Sequence, residues 1–308
     1  MNKRILKILE LLFGAVILFY LIYKLGAKKV YETILLIDPN YLILPYILQI
    51  IVILIGAFNI YLFVKFFRYK KLRFQSVLIV YLYNLVIGMV FPIRSVGIPL
   101  IVLLNKLKIK MKHSIAITFV DKIITFVILL LFTLVGILYF SSYSYNLLIY
   151  STLLLIITIL LGIFLFTKKL QNRIINLFER LNLPSIRGFS ESSKKLIKSK
   201  KNIIVNSILT FIKLLISSII PYIILLGLDI HPPLLQFSLI AIVITVISSF
   251  PISIGGLGIR EVGATALFSY FMGLDSVLIT SAYIIFLFIR YSFAIIFLLL
   301  YNFNIIKF

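Results

Sequence analysis

The sequence contains no cysteine and few charged residues, and both shortages limit what the protein can be. Without cysteine it can form neither disulfides nor thiolate metal sites. Only 13% of the 308 residues are charged and 62% are hydrophobic. A soluble domain would carry about 25% charged residues. The composition therefore predicts an all-α polytopic membrane protein.

The motifs of several enzyme classes are also missing. There is no Walker A loop, so no intrinsic ATP use is indicated. No Asp-x-Asp pair is present to hold a divalent metal for glycosyl transfer, and nothing resembles an activated nucleophile triad. The two histidines, His113 and His231, fall on opposite faces in the topology derived below and cannot share a metal. We therefore expect no enzyme activity, no metal and no cofactor.

Acidic residues are scarce: 9 stand against 31 Lys and Arg, which gives a net charge of +22. In a soluble protein this excess would suggest nucleic acid as a partner. Here the basic residues cluster in short segments between apolar runs, mainly the two termini and segments 65–73, 105–112 and 168–201. The positive-inside rule accounts for that pattern without nucleic acid. It predicts a multi-pass protein of the cytoplasmic (plasma) membrane with both termini in the cytoplasm.

Eight hydrophobic regions alternate with the polar segments. Six have the length of a full span, about 17–25 residues: 5–25, 41–64, 113–140, 146–167, 203–228 and 276–301. The first carries no clear cleavage site and is expected to remain as a span. Regions 74–104 and 234–272 are interrupted midway, and the flanking charges make each enter and leave on one side. We therefore predict six full transmembrane helices and two re-entrant, broken-helix hairpins.

The two interrupted regions have similar bends. The bend sequences are Phe91-Pro92-Ile93-Arg94-Ser95-Val96-Gly97-Ile98 and Phe250-Pro251-Ile252-Ser253-Ile254-Gly255-Gly256-Leu257-Gly258-Ile259. Three full spans separate them, so one hairpin is inverted relative to the other. Inverted repeats with broken helices near the midplane are typical of alternating-access transporters. We predict a single integral membrane domain over 1–308, with inverted halves at about 1–140 and 141–308.

Segment 168–201 is the basic segment expected at the cytoplasmic interface. Apolar residues recur at helical spacing in its first part, among Lys and Arg: Leu170, Ile174, Leu177, Phe178 and Leu181. This pattern predicts an interfacial helix over 168–187 that lies on the anionic leaflet. The remainder, from Gly188 to Lys201, is predicted to be a polar, basic loop.

The second bend carries the strongest candidate site. Gly255, Gly256 and Gly258 interrupt the helix, and Arg260 and Glu261 open the next one. Unwound backbone and charges at membrane depth persist only in protein or beside a wet cavity, and they mark functional sites. Helix N-termini bind anions, and the guanidinium fork suits phosphate. Either the bend holds a phosphate-bearing ligand, or the two charges cap and neutralise buried helix ends.

Two further arginines are candidate binding residues. Arg94 lies at the first bend beside Gly97, where it either makes a second phosphate contact facing Arg260 or donates to carbonyls freed by the prolines. Arg290 lies about halfway along the last span. It either pairs with Glu261 or faces the cavity.

Three other charged residues lie inside apolar segments, and a structural role competes with a functional one for each of them. Asp121 and Lys122 lie within the span 113–140 and are expected to form buried pairs with other charges. Lys213 lies in the span 203–228, where a small tilt would carry it to the cytoplasmic interface. A coupling-proton role is open to Asp121 or Glu261, because both are carboxylates at membrane depth.

The second bend also carries a family resemblance. Pro251 followed by Gly255-Gly256-Leu257-Gly258-Ile259-Arg260-Glu261 resembles the signature of the lysylphosphatidylglycerol synthase transmembrane-region family, whose members are flippase-like. Pro92-x-Arg94-x-x-Gly97 and the span with Asp121-Lys122 look like its first-half motifs, so the resemblance covers essentially the whole chain. Two positions depart from the pattern: Ile98 stands where the family often has an acid, and Asp121-Lys122 where Glu-Arg is common.

The resemblance implies lipid translocation or the handling of lipid-linked intermediates. Some members of the family carry a soluble acyltransferase or glycosyltransferase domain, and this sequence shows neither, so a stand-alone membrane domain is expected. We expect a flippase-like protein that translocates or binds a phosphate-bearing lipid, either a phospholipid or a polyprenyl-phosphate-linked one. The alternative is a membrane partner of a separate soluble glycosyltransferase or other transferase in cell-envelope biosynthesis, or itself a lipid-modifying transferase.

Overall fold

A computed structural model describes residues 15–90, 97–140, 188–249 and 253–302 of the chain. Within these ranges every regular element is a helix, as expected where hydrocarbon leaves backbone groups no partner outside their own segment. In chain order the α-helices are α1 (Ala15–Leu25), α2 (Ala27–Leu35), α3 (Asn40–Phe66), α4 (Phe74–Val90), α5 (Ile98–Lys106), α6 (Met111–Phe140), α7 (Phe189–Lys198), α8 (Lys200–Leu226), α9 (Leu234–Ile247), α10 (Ile259–Met272) and α11 (Ser276–Asn302).

Four of these helices, α3, α6, α8 and α11, are long and apolar enough to cross a membrane. They contain 27, 30, 27 and 27 residues. At about 1.5 Å per residue, each exceeds the roughly 30 Å of a bilayer's hydrocarbon core. They confirm the predicted apolar segments 41–64, 113–140, 203–228 and 276–301 as candidate spans. Of the predicted span 5–25 only α1 is described, and 146–167 lies outside the described residues.

Each interrupted region consists of two helices, as predicted. α4 and α5 flank the first bend, whose residues 91–96 lie outside the described part. α9 and α10 flank the second bend, where a short 3-10 turn at Ile254–Gly256 precedes α10; residues 250–252 are not described. The re-entrant course of the two pairs and their inverted relation stay predictions.

The predicted loop from Gly188 to Lys201 is wrong, because its first part forms helix α7. Phe189 and Leu196, seven residues apart, are both buried, and α7 packs on α6. The Phe189 ring makes an edge contact with Phe119, with the ring centroids 5.4 Å apart. On the exposed side of α7, Lys195 forms an ion pair with the Glu191 carboxylate, which lowers the pKa of Glu191. The predicted interfacial helix over 168–187 lies outside the described residues.

The chain divides into two compact units. The first comprises Met1–Leu54, Leu82–Val96 and Lys213–Phe308, and the second comprises Ile55–Tyr81 and Gly97–Ile212. In the first unit α10 packs on α9 and α11, and α11 also packs on α2. Stacked rings of Phe237 and Phe268, with centroids 4.3 Å apart, join α9 to α10. In the second unit α6 packs on α5 and α7.

Candidate functional site

Three glycines at the second bend adopt backbone conformations that other residues avoid. Gly255, Gly256 and Gly258 have φ angles of 63°, 81° and 76°, where a side chain costs roughly 1–2 kcal/mol. A Cβ on Gly256 would lie only 3.0 Å from the Cβ of Ser248, just beyond the end of α9. A Cβ on Gly255 would lie 3.5 Å from the Gly88 carbonyl oxygen. The bend is therefore folded tightly against α9 and close to α4.

Arg260 lies in the first turn of α10, as the sequence predicted, and points back across the bend. Its Nη2 donates a hydrogen bond to Ser248 Oγ at 3.2 Å. Gly258, the residue before the helix, supplies no side-chain cap to the first-turn amides. The Arg260 guanidinium carbon also lies 5.8 Å from the ring centroid of Phe286 in α11. The bend thus presents a guanidinium beside an uncapped helix N-terminus.

Arg290 approaches the same aromatic ring from within α11. Its guanidinium carbon also lies 5.8 Å from the Phe286 centroid, and the residue is only 7% exposed. A cation near an aromatic ring gains electrostatic attraction, by about 0.5–2 kcal/mol depending on solvation. The structure therefore brings two of the predicted binding residues, Arg260 and Arg290, to one phenyl ring within the first unit.

Arg290 lines a small cavity of the first unit. The cavity measures about 40 Å³, and its polar lining includes Gln49 and Arg290 among apolar side chains. Because one water needs about 10–15 Å³ of such space, it has room for a few waters. Met89 lines the cavity, and its Cα would lie 3.7 Å from a Cβ on Gly255, so the cavity adjoins the bend. Of the two sequence hypotheses for Arg290, this geometry favours the cavity.

Glu261 is completely buried, and its carboxylate has no hydrogen-bond partner in the described part of the chain. The exposure of the residue is 0%, and both carboxylate oxygens are without such a partner. The amides of Gly258 and of Glu261 itself lie nearby without reaching hydrogen-bond geometry. The buried hydroxyl of Ser253 is likewise without a described partner. Buried polar atoms without partners are rare in native proteins, and each needs an explanation.

The structure does not place the other predicted residues at the second bend. Arg94 belongs to the undescribed residues 91–96. Gly97 precedes α5 in the second unit with φ 71°, and a Cβ there would lie 2.5 Å from Thr118 Cγ2 and 4.0 Å from Lys122 Cε. Close packing on α6 therefore requires glycine at 97. Lys213 is half-buried on α8 in the first unit.

Asp121 belongs to a buried polar chain in the second unit. Asn206 Nδ2 donates to Asp121 Oδ1 at 3.2 Å, and Thr210 Oγ1 donates to Asn206 Oδ1 at 3.4 Å. Asn59 Nδ2 in turn donates to Thr210 Oγ1 at 2.9 Å. These hydrogen bonds connect α3, α6 and α8. The described hydrogen-bond partner of Asp121 is an amide. Sequence reasoning overlooked Asn206 and Thr210, although polar residues four apart in an apolar helix were a usable signal.

The contact between Asp121 and Asn206 predicts a non-additive effect on stability. Asn206→Ala removes the described donor of a buried carboxylate and is expected to destabilise the protein by about 1–2 kcal/mol. Combined with Asp121→Ala it should cost less than the two single substitutions added together. Thermal unfolding of the four proteins in detergent measures this difference. Asn202→Ala, near the start of the same helix, is the control, and strictly additive losses would contradict the interaction.

Comparison with known families gives a match over almost the whole chain. The model of the family described as "Lysylphosphatidylglycerol synthase TM region" matches residues 7–297, which include both bends, three of the four candidate spans and most of the fourth. Comparison with proteins of curated function finds no match. The family match agrees with the resemblance seen in the glycine bend and in the first-half motifs. This membrane protein therefore belongs to the lysylphosphatidylglycerol synthase transmembrane-region family.

Proposed function

We propose that this protein translocates a phosphate-bearing lipid between the leaflets of the cytoplasmic membrane and is not itself an enzyme. The observation that carries the proposal is the second bend, where Arg260 and an uncapped helix N-terminus adjoin a turn of three glycines. Such a turn orients amides toward an anion, and the helix dipole adds to the attraction. A phosphodiester or phosphomonoester headgroup has the charge for this site.

The described hydrogen bond of Arg260 can be exchanged for one to a phosphate. That bond runs to a neutral hydroxyl, the hydroxyl of Ser248. Hydrogen bonds between guanidinium and phosphate are charge-assisted and roughly twice as strong as neutral ones. A lipid phosphate would therefore displace the hydroxyl, while the acyl chains stay in the bilayer. Arg94 would supply a second contact from the first bend.

Translocation further requires the first unit to open around the bend. The adjoining cavity has room for only a few waters and is too small for a lipid headgroup. In the proposed cycle the two inverted halves of the protein rock around the bend and expose it to each leaflet in turn. Both termini lie in the cytoplasm in this scheme, as the charge distribution predicts.

A second candidate function is a membrane anchor for a soluble transferase. α7 and the start of α8 expose a run of lysines suited to docking an acidic surface: Lys195, Lys198, Lys200 and Lys201. In this alternative the protein supplies or holds a lipid substrate for a separate glycosyltransferase. The same lysines also fit anionic headgroups, so they favour this function less strongly than the bend favours translocation.

Leaflet exchange in liposomes tests translocation directly. Purified protein is expected to accelerate exchange of fluorescent phosphatidylglycerol or labelled polyprenyl phosphate over protein-free liposomes. A phosphate-free lipid with a sugar headgroup should exchange no faster than in protein-free liposomes, because it offers Arg260 no anion. Equal acceleration of both lipids would contradict recognition of phosphate. A lack of exchange with every phosphate lipid, together with co-purification of a soluble transferase, would support the anchor instead.

A further inference from the structure

The buried Glu261 carboxylate follows directly after the residue proposed to hold phosphate. Arg260 and Glu261 are consecutive in α10, yet Arg260 is half-buried and Glu261 is 0% exposed. Neither Glu261 oxygen has a described hydrogen-bond partner, and no described cation forms a salt bridge with it. An isolated ionised carboxylate in such surroundings is far more costly than a neutral one. The surroundings of Glu261 therefore favour the uncharged, protonated acid over the carboxylate.

The groups around Glu261 do not remove that cost. α10 packs against α9, which contains no ionisable side chain, and against α11. The ionisable residues of α11 near the bend are Tyr283, Arg290 and Tyr291. Arg260, on α10 itself, and the nearby amides of Gly258 and Glu261 favour the ionised form. The described hydrogen bond of Arg260 nevertheless goes to Ser248 and not to the carboxylate.

A phosphate at the bend makes the proton on Glu261 necessary. An ionised carboxylate beside the bound anion would compete with it for Arg260 and for the first-turn amides of α10, and the two negative charges would repel each other. A protonated carboxylic acid is uncharged and leaves those donors to the phosphate. The proton and the anionic lipid therefore favour each other's binding, and the two affinities change by the same factor.

We propose that Glu261 is the proton-binding site of a proton-coupled lipid transporter, which takes up one proton together with each anionic phosphate lipid and releases both on the other side. The proposal rests on the proposed function, since it assigns an ion to the lipid movement argued above. With a phosphodiester headgroup, one proton moves with one negative charge, so the coupled step transfers no net charge. The proton gradient then supplies a driving force without ATP.

Equilibrium binding of phosphatidylglycerol tests the coupling. This lipid is a phosphodiester whose own charge does not change between mildly acidic and mildly alkaline pH. Wild-type protein in detergent is expected to bind it more weakly as the pH rises, by up to about tenfold for each pH unit. Glu261→Gln, which imitates the protonated acid, should bind it with nearly constant affinity. Glu32→Gln, at an exposed glutamate of α2, is the matched control and should behave as wild type.

A second measurement needs no variant. By reciprocity, adding phosphatidylglycerol to wild-type protein in weak buffer, at a pH where its binding has begun to weaken, should withdraw protons from solution, which a pH indicator records. Lipid binding that ignores pH and takes up no proton would overturn the coupling and leave the proposed function standing. A pH dependence that persists in a folded Glu261→Gln protein would overturn the assignment to Glu261. If neither phosphatidylglycerol nor polyprenyl phosphate binds at any pH, the proposed function and the coupling are contradicted together.

Discussion

Replacing Arg260 with alanine is expected to slow exchange of a phosphate lipid by about 10- to 100-fold while leaving the protein folded. The substitution removes one charge-assisted hydrogen bond to the headgroup, worth about 1.5–3 kcal/mol. That loss corresponds to about one to two powers of ten in rate. The measurement is leaflet exchange of labelled phosphatidylglycerol in liposomes, with the amount of inserted protein determined for each variant.

Arg260→Lys distinguishes geometry from charge. Lysine keeps the positive charge but loses the planar fork that binds two phosphate oxygens, and its ammonium is more strongly hydrated. We therefore expect an exchange rate between those of wild type and Arg260→Ala. Arg73→Ala removes an exposed arginine from the segment between α3 and α4 and serves as the matched control. It should leave exchange close to the wild-type rate.

The structural alternative makes a different prediction for the same residues. If Arg260 only ties the start of α10 to the end of α9 through Ser248, then Ser248→Ala should lower the melting temperature as much as Arg260→Ala does. Exchange should then be nearly unaffected in those proteins that remain folded. If Arg260 holds the lipid phosphate, Ser248→Ala should cost little exchange and Arg260→Ala should cost much. Unchanged exchange in folded Arg260→Ala would make the arginine a helix cap.

The long spans and the bend could be predicted from the sequence because their signals are local. About twenty consecutive apolar residues are enough to identify a transmembrane helix, which gives α3, α6, α8 and α11 to within a few residues. Three glycines before Arg260 give the start of α10, because the interruption lies within one short stretch of chain. In each case the physical cause is contained in neighbouring residues.

The contacts around those elements could not be predicted, because they join residues far apart in the chain. The Phe286 ring contacts both guanidinium groups, those of Arg260 and Arg290. Nothing in the sequence distinguishes this phenylalanine from the others in an apolar helix. The partner of Asp121 lies 85 residues further along the chain. α7 was missed for another reason: its lysines dominate the local composition, and its apolar face is recognisable only against α6.

Gly256→Val is expected to destabilise the protein by about 2–5 kcal/mol, the largest loss of stability anticipated from a single substitution at the bend. A β-branched side chain at a φ of 81° costs roughly 1–2 kcal/mol in the backbone alone. The Cβ would also lie 3.0 Å from Ser248 Cβ and 3.2 Å from the Ser248 carbonyl oxygen. Crowding of this kind adds about 1–3 kcal/mol. Thermal unfolding in detergent and the yield of folded protein measure the effect.

Substitutions at two other glycines separate the two causes of this destabilisation, backbone strain at positive φ and steric crowding of the added Cβ. Gly263 lies within α10, where a Cβ would meet nothing within 4 Å, so Gly263→Ala should be neutral or slightly stabilising. Gly255 has a φ of 63° but a nearest contact of 3.5 Å, so Gly255→Ala should cost only the backbone term, about 1–2 kcal/mol. Gly256→Ala carries both costs and should exceed Gly255→Ala. Equal losses at 255 and 256 would show that backbone conformation alone fixes the bend, and that its close approach to Ser248 adds nothing.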